Sequence, residues 1–188
     1  MHFGERDEII QLTPLWQGER FDDGRPRVPD SVLTRMEKVV TEEAWGVLRR
    51  HGYNFQFEGN WTTVFPERVL VGRAVTGVFI PQRPDLHDHL MEVGLNVPCR
   101  IGNATCLPGD VVLGTVTGVL FIPPHLAEEA VEHSERIRLR ELFSHGRLRE
   151  EVYTASQMDT QWTPEIDADF AEWRKTHTPE DLQHLRWE

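Results

Sequence analysis

The chain has 188 residues, 39% of them hydrophobic, enough to close a core in one domain and too many for a chain disordered throughout. Thirty-one acidic residues against twenty basic ones give a formal net charge of -11, which repels phosphate backbones and makes nucleic acid a poor partner. The N-terminus, MHFGERDEII, has no cationic start followed by an apolar run, and no stretch approaches the roughly eighteen apolar residues of a membrane span, so a cytoplasmic protein without a membrane partner is expected.

Residues 1–30 read as an N-terminal arm, because the Asp, Gly and Pro residues of DDGRPRVPD favour turns and stop regular elements. Ser31 is placed to cap a first helical segment through Val40. Thr41 is placed to cap a second, EEAWGVLRRHG, with Glu42 and Glu43 at the positive end of the helix dipole and Arg49 and Arg50 at the negative end. Gly52 supplies a left-handed stop. FEGNW, Phe57 to Trp61, reads as a buried turn, or as a polar knot lining a pocket. RVLVGRAVTGVFI, Arg68 to Ile80, is β-branched and glycine-marked and reads as one or two buried strands ended by Pro81 and Pro84.

In LPGDVVLGTVTGVLFIPPHLAEEAVEHSE, PGD makes a turn, VVLG one strand and GVLFI another, and Pro123 and Pro124 block further pairing while suiting a helix start. Leu126, Ala127, Ala130, Val131, Ser134 and Ile137 then recur at helical spacing. Beyond Gly146 the chain is acidic, yet it carries Trp162, Trp173 and Trp187, so residues 147–188 read as a tail of short docked helices. The composition as a whole is that of a mixed α/β chain.

Chemistry is sparse. Cys99 and Cys106 lack the C-x-x-C spacing of a zinc or redox pair and read as small buried thiols. His87 and His89 flank Asp88 in PDLHDHL; on a strand the two imidazoles would share a face and could take a divalent metal, whereas on a helix they would diverge. The glutamates after Pro124 read as a solvated helix face. There is no P-loop, nucleophile elbow, H-E-x-x-H or dinucleotide fingerprint.

Three segments together carry a family likeness: VGRAVTGVF from Val71, LPGDVV from Leu107, and the G-x-x-x-G-V-x-x-I-P string from Gly114 running into HLAEEAVEHSE. They resemble the RraA-like family, which includes regulators of ribonuclease activity, proteins once called demethylmenaquinone methyltransferases, and metal-dependent aldolases. The arm and the tail resemble a longer-chain branch of that family, and the likeness spans about residues 27–173.

The resemblance implies a swivelling β/β/α domain over residues 31–146, assembled with copies of itself as a trimer or hexamer. It also implies a lyase that uses Mg²⁺ or Mn²⁺ to stabilise the enolate formed when a small 2-oxo acid, such as 4-hydroxy-4-methyl-2-oxoglutarate or oxaloacetate, is cleaved.

Family members carry a central block with G-D-N and G-x-x-R-D motifs, which supply the substrate arginine and the metal aspartate. This chain has neither, and the likeness breaks near Gly94 and Leu95, as an internal deletion would leave it. The RraA-like domain is therefore expected to be incomplete in the middle. Substrate-binding residues remain unassigned, Glu141 resembles the glutamate that reaches a neighbouring subunit's site, and His87, Asp88 and His89 are the substitute metal ligands. Thr115 stands where many members have an acidic residue. A non-catalytic protein-binding regulator is the alternative to a lyase, and a degenerate fragment is the third possibility.

Overall fold

A computed structural model describes residues 2–80 and 91–177. The elements run β1 (His2–Phe3), α1 (Arg6–Leu12), α2 (Asp30–Met36), α3 (Thr41–Arg50), β2 (Phe57–Gly59), β3 (Leu70–Arg73), β4 (Gly77–Ile80), β5 (Met91–Leu95), β6 (Cys99–Ile101), β7 (Ala104–Cys106), β8 (Val111–Thr115), β9 (Gly118–Ile122), a 3₁₀ turn (Pro124–Leu126), α4 (Ala127–Arg149), α5 (Ala155–Asp159) and α6 (Pro164–Trp173). Packing divides the chain into two units, Met1–Glu132 and His133–Glu188. Among the described residues no helix is long and apolar enough to cross a membrane.

The first unit is built on the β8–β9 hairpin, centre of an antiparallel sheet ordered β2-β9-β8-β3. Strand alternation decides which residues go where. Val111, Leu113, Leu120 and Ile122 point to one face and are fully buried against Val32 and Met36 of α2, Ala44 and Leu48 of α3, and Ala127, Ala130 and Val131 of α4. On the other face Phe121 joins Ala104 and Cys106 of the β6–β7 hairpin in a second, smaller core. The expected strand, turn, strand, helix over Leu107–Glu135 is therefore present, with both faces of the hairpin covered. A separate sheet, ordered β1-β5-β4, contains the point where the family likeness breaks: Gly94 is in register with Val78 and His2, and Leu95 with Gly77 and Phe3.

Four local expectations are corrected. The helix expected to run from Ser31 to Val40 is Asp30–Met36, with Pro29 as its N-cap: the fixed φ of proline sets the entry, and Ser31 is already inside the helix. Thr41 is the first helical residue of α3 rather than its cap, and its hydroxyl is instead 3.0 Å from that of Thr115. FEGNW is not a buried turn. Phe57–Gly59 pairs with β9, Asn60 takes the left-handed conformation that ends the strand, and Trp61 is exposed. The Arg68–Ile80 segment does form two strands, but they are not buried, because each lies at the edge of its sheet and Leu70 and Phe79 face outward.

The second unit is held by aromatic packing. Phe143 is fully buried among Trp162, Phe170, Trp173 and Tyr153, at ring separations of 5.2 to 6.4 Å. These tilted geometries suit the aromatic quadrupole. Thr154 caps α5 in a capping box with Gln157, and Thr163 caps α6. Arg147 grips Asp169 with two parallel bonds of 2.8 and 2.6 Å, and Tyr153 donates to the same carboxylate. The tail tryptophans Trp162 and Trp173 thus line a core of this unit, while Trp187 lies outside the described residues.

The PGD turn ties the first unit together. Asp110 N–H donates to Leu107 O at 3.1 Å, and Pro108 and Gly109 hold the second and third turn positions, Gly109 with φ of 92°. That is a type II turn, which needs a residue tolerant of positive φ in the third position. A Cβ on Gly109 would also lie 2.5 Å from Pro26 Cδ, so glycine is required both by conformation and by the close approach of the arm. Gly109→Ala is expected to cost about 1–3 kcal/mol from backbone strain, with the Pro26 contact adding to it. Urea unfolding checks this, and a loss below about 0.5 kcal/mol would show that the turn does not constrain the unit.

Candidate functional site

Where β3 leaves the segment that follows β2, the chain forms an open groove against the end of the β8–β9 hairpin. Trp61, Val64, Phe65, Val69 and Leu70 line one side, and Gly114, Thr115 and Val119 the other, enclosing about 400 Å³. The five large apolar residues are 45 to 76% exposed. Isolated exposed apolar residues are ordinary, but five converging on one concavity form a patch of the kind that marks an interaction surface. Among the described residues β3 makes its ladder bonds with β8 alone, and its first residue, Leu70, lines the groove in a row with Gly114 and Val119 across the end of the sheet. Among the described residues Arg68 is the one cation in the lining. Its guanidinium lies 4.8 Å over the Phe65 ring, and Glu67 is 3.8 Å away.

Thr115 sits at this groove. Its hydroxyl is 3.0 Å from that of Thr41 and 2.8 Å from that of Thr117. A neutral hydroxyl cluster therefore occupies the place where the family likeness puts an acidic residue, and it satisfies its own hydrogen bonds without presenting a charge.

Glu141 is exposed on α4 in the second unit, beside a groove of about 380 Å³ that is also lined by Arg140, Ser144, His145, Asp159 and Trp162. Arg140 packs its guanidinium 3.8 Å over the Trp162 ring. His87, Asp88 and His89 lie outside the described residues. Among the described residues no group of three or more His, Cys, Asp or Glu side chains is close enough to hold a metal ion, so Glu141 is not joined there by further ligands. Among the described residues of one chain no set of ligands like that of the aldolases' Mg²⁺ or Mn²⁺ site is assembled.

The first unit also contains a more enclosed cavity of about 370 Å³, lined by the arm, the PGD turn and the start of the segment leading into α4. Among the described residues no Lys or Arg lines it. A dicarboxylate entering it would meet no cation, and it would meet Asp110. That carboxyl is 2% exposed, and burial pushes its pKa up to about 7, opposed only by the Leu107 N–H that donates to Oδ2 at 2.8 Å. Nearby, Cys99 and Cys106 are directly opposite each other on β6 and β7. Cys106 is buried as expected while Cys99 is half-buried, and burial raises both thiols, so neither is an activated nucleophile. Of the apolar groove the sequence offered Trp61 alone, at the end of the FEGNW segment read as a turn or a pocket lining, and the buried carboxyl was not singled out. Both depend on which segments meet, and only the PGD signal marked Asp110 at all.

No protein-family model matches the sequence, and no curated protein is significantly similar to it. Solved structures do match. RraAS2 of Streptomyces coelicolor, described as an unusual member of the RNase ES inhibitor RraA protein family, superposes with a TM-score of 0.57 at 16% identity, over 64% of this chain and 100% of that one. The fold is RraA-like. An uncharacterized protein of Pseudomonas syringae pv. tomato str. DC3000 matches with a TM-score of 0.55 at 15% identity, over 72% of this chain and 100% of that one. A structure described under novel cellulases from gut-associated microbes gives 0.53 at 16%, over 73% and 95%. Likeness at this level of identity concerns the fold and carries no activity with it.

Asp110 makes a pH prediction possible. Its folded pKa of about 7 lies above its ordinary value of 3.8, so the folded state holds a proton that the unfolded chain gives up. The stability this provides is fully present below about pH 4, falls as pH rises, and is gone above about pH 7, a loss on the order of 4 kcal/mol. Asp110→Asn is expected to flatten that slope. Urea midpoints measured between about pH 5 and pH 8 check this, and an equal slope in the variant would refute it.

Proposed function

We propose that this chain is a non-catalytic RraA-like protein whose activity is protein binding, with the apolar groove at Trp61–Leu70 as its binding surface. One observation carries the reading: five large apolar side chains converge on a concavity at the end of a sheet whose β3 edge has no ladder partner among the described residues. Such an edge can take a strand from another chain through main-chain hydrogen bonds, with the apolar side chains filling the groove. The first occupant is a second copy of this chain, in the trimer or hexamer that the resemblance implies. The description of RraAS2 as a member of an RNase-inhibitor family supports binding, rather than bond cleavage, as the task of the fold in this chain.

The lyase reading requires a divalent metal, a cation for the 2-oxo acid and a general acid or base, and the described residues converge on no such set. The alternatives separate cleanly. Purified protein with Mg²⁺ or Mn²⁺ is expected to release no pyruvate from 4-hydroxy-4-methyl-2-oxoglutarate or oxaloacetate above the metal-only rate, and metal-dependent release would restore the lyase reading. Light scattering is expected to give a particle several times the 21.8 kDa chain mass, reverting to monomer in a Phe65→Glu, Leu70→Glu double variant that keeps its circular dichroism spectrum. A wild-type monomer would overturn the groove as the assembly surface.

A further inference from the structure

We propose that the enclosed cavity of the first unit is a binding site for a small amine carried on an aromatic ring, its ammonium group held by Asp110 and its ring by the surrounding aromatic side chains. The site is distinct from the apolar groove, and no residue lines both.

Its volume of about 370 Å³ falls within the range of small-molecule pockets and exceeds what one aromatic ring needs. Trp16, Tyr53 and Phe55 line it, together with the imidazole of His125. The walls are fixed before any ligand arrives. The Trp16 indole N–H donates to Glu19 O at 2.8 Å, and Tyr53 Oη is 3.3 Å from His125 Nε2, with the two rings tilted at 5.8 Å. Arg20 holds the arm in place with bonds to Thr13 Oγ1 and O, Trp16 O and Gly24 O, so the cavity wall contributed by Leu12–Trp16 is tied at three points and joined to the bend at Gly24. Pre-organisation of this kind reduces the ordering cost of binding.

The polar groups select the charge of the ligand. Asp110 is 2% exposed and lines the cavity, yet its carboxyl takes a single hydrogen bond among the described residues, at Oδ2 from Leu107 N. A carboxylate has about four lone-pair sites, so this one is an unfilled acceptor. Among the described residues no Lys or Arg lines the cavity: Arg20 lies behind the wall with its guanidinium bonded to Thr13, Trp16 and Gly24 oxygens, and burial holds the His125 imidazole below its usual range. The formal net charge of -11 further favours a cation over an anion. An ammonium group satisfies the carboxylate, and the aromatic faces accept the ring and part of the cationic charge. A carboxylate or phosphate ligand would do neither.

The test uses the full chain and three one-ring probes of similar size, titrated calorimetrically at about pH 8, above the pKa of about 7 that burial gives Asp110. Phenethylamine is expected to bind at least about tenfold more tightly than 2-phenylethanol, and phenylacetate not measurably. Asp110→Asn, which keeps the side chain's shape, is expected to weaken the amine by about tenfold or more. Leu15→Arg, at a lining residue 59% exposed and therefore tolerant of change, places a cation at the mouth and is expected to reverse the preference toward phenylacetate even if the Asp110 variant fails to fold. Equal binding of amine and carboxylate by the wild-type chain, no binding of the amine, or an unchanged amine affinity in Leu15→Arg would overturn the assignment.

Discussion

The turn Leu107–Asp110 is the constraint on which the first unit depends, because four separate parts of the chain are fixed by it. Gly109 N–H donates to Ala74 O and Ala74 N–H donates to Asp110 O, at 2.9 and 2.8 Å, which locks the end of β3 to the start of β8. Pro26 packs against the α-carbon of Gly109, which seats the arm. Asp110 folds its carboxylate back onto Leu107 N–H, so the turn satisfies part of its own buried charge. From there β8 enters the core with Val111 and Leu113 inward, and the hairpin returns through Leu120 and Ile122 to the prolines that start α4. Moving the turn by one residue would exchange the two faces of β8 and put Val112 and Gly114 where the core needs Val111 and Leu113.

Much of this was legible because it is local. The P-G-D signal, the alternation of β8 and β9, the double proline and the helical spacing after it each state a backbone preference, and the preferences agree. The failures came where tertiary context overrode the local signal. Thr41 has the chemistry of a cap, but the Thr115 hydroxyl competes for it and Val40 already turns the chain. The β-branched run at Arg68–Ile80 gave strands correctly yet misjudged their burial, since β-propensity says that a residue fits a pleated surface and not whether that surface is covered. The arm was readable as turns but not as core. Ile9 and Val28 are 0 and 1% exposed, and the four bonds from Arg20 that hold its bends join residues up to seven apart with no motif to announce them.

The candidate site shows a different limit. Recognising the fold from VGRAVTGVF, LPGDVV and the proline-ended hairpin is possible because those segments shape the backbone, and the backbone superposes on RraAS2 over 64% of the chain at 16% identity. Catalytic sets carry no such redundancy. A metal-assisted lyase needs oxygen ligands converging on one point and a cation opposite the substrate carboxylate, and a scaffold can persist after either is lost. Here the position that resembles an acidic one holds Thr115, in a closed hydroxyl cluster, and among the described residues the lining of the enclosed cavity includes a carboxyl and no Lys or Arg. Both are sound local solutions for a folded protein, and neither is a solution for holding a 2-oxo acid.

Whether an apolar groove can bring together copies of so acidic a chain is a matter of magnitudes. Covering a Phe, Leu or Val side chain contributes about 1.5–3 kcal/mol when burial is complete, so five of them, even partly covered, supply several kcal/mol. The repulsion between chains of formal net charge -11 acts over the whole surface, but it is screened beyond about 8 Å at physiological salt. What counts is the charge within that distance of the groove. Among the described residues the lining itself carries Arg68 and no acid, and its neighbour Glu67 offsets that positive charge. The groove is thus a nearly neutral patch on a strongly negative protein. If copies meet at the groove as proposed, the long-range charge opposes non-specific association while the short-range apolar contact favours one geometry, a balance that suits a discrete complex better than a precipitate.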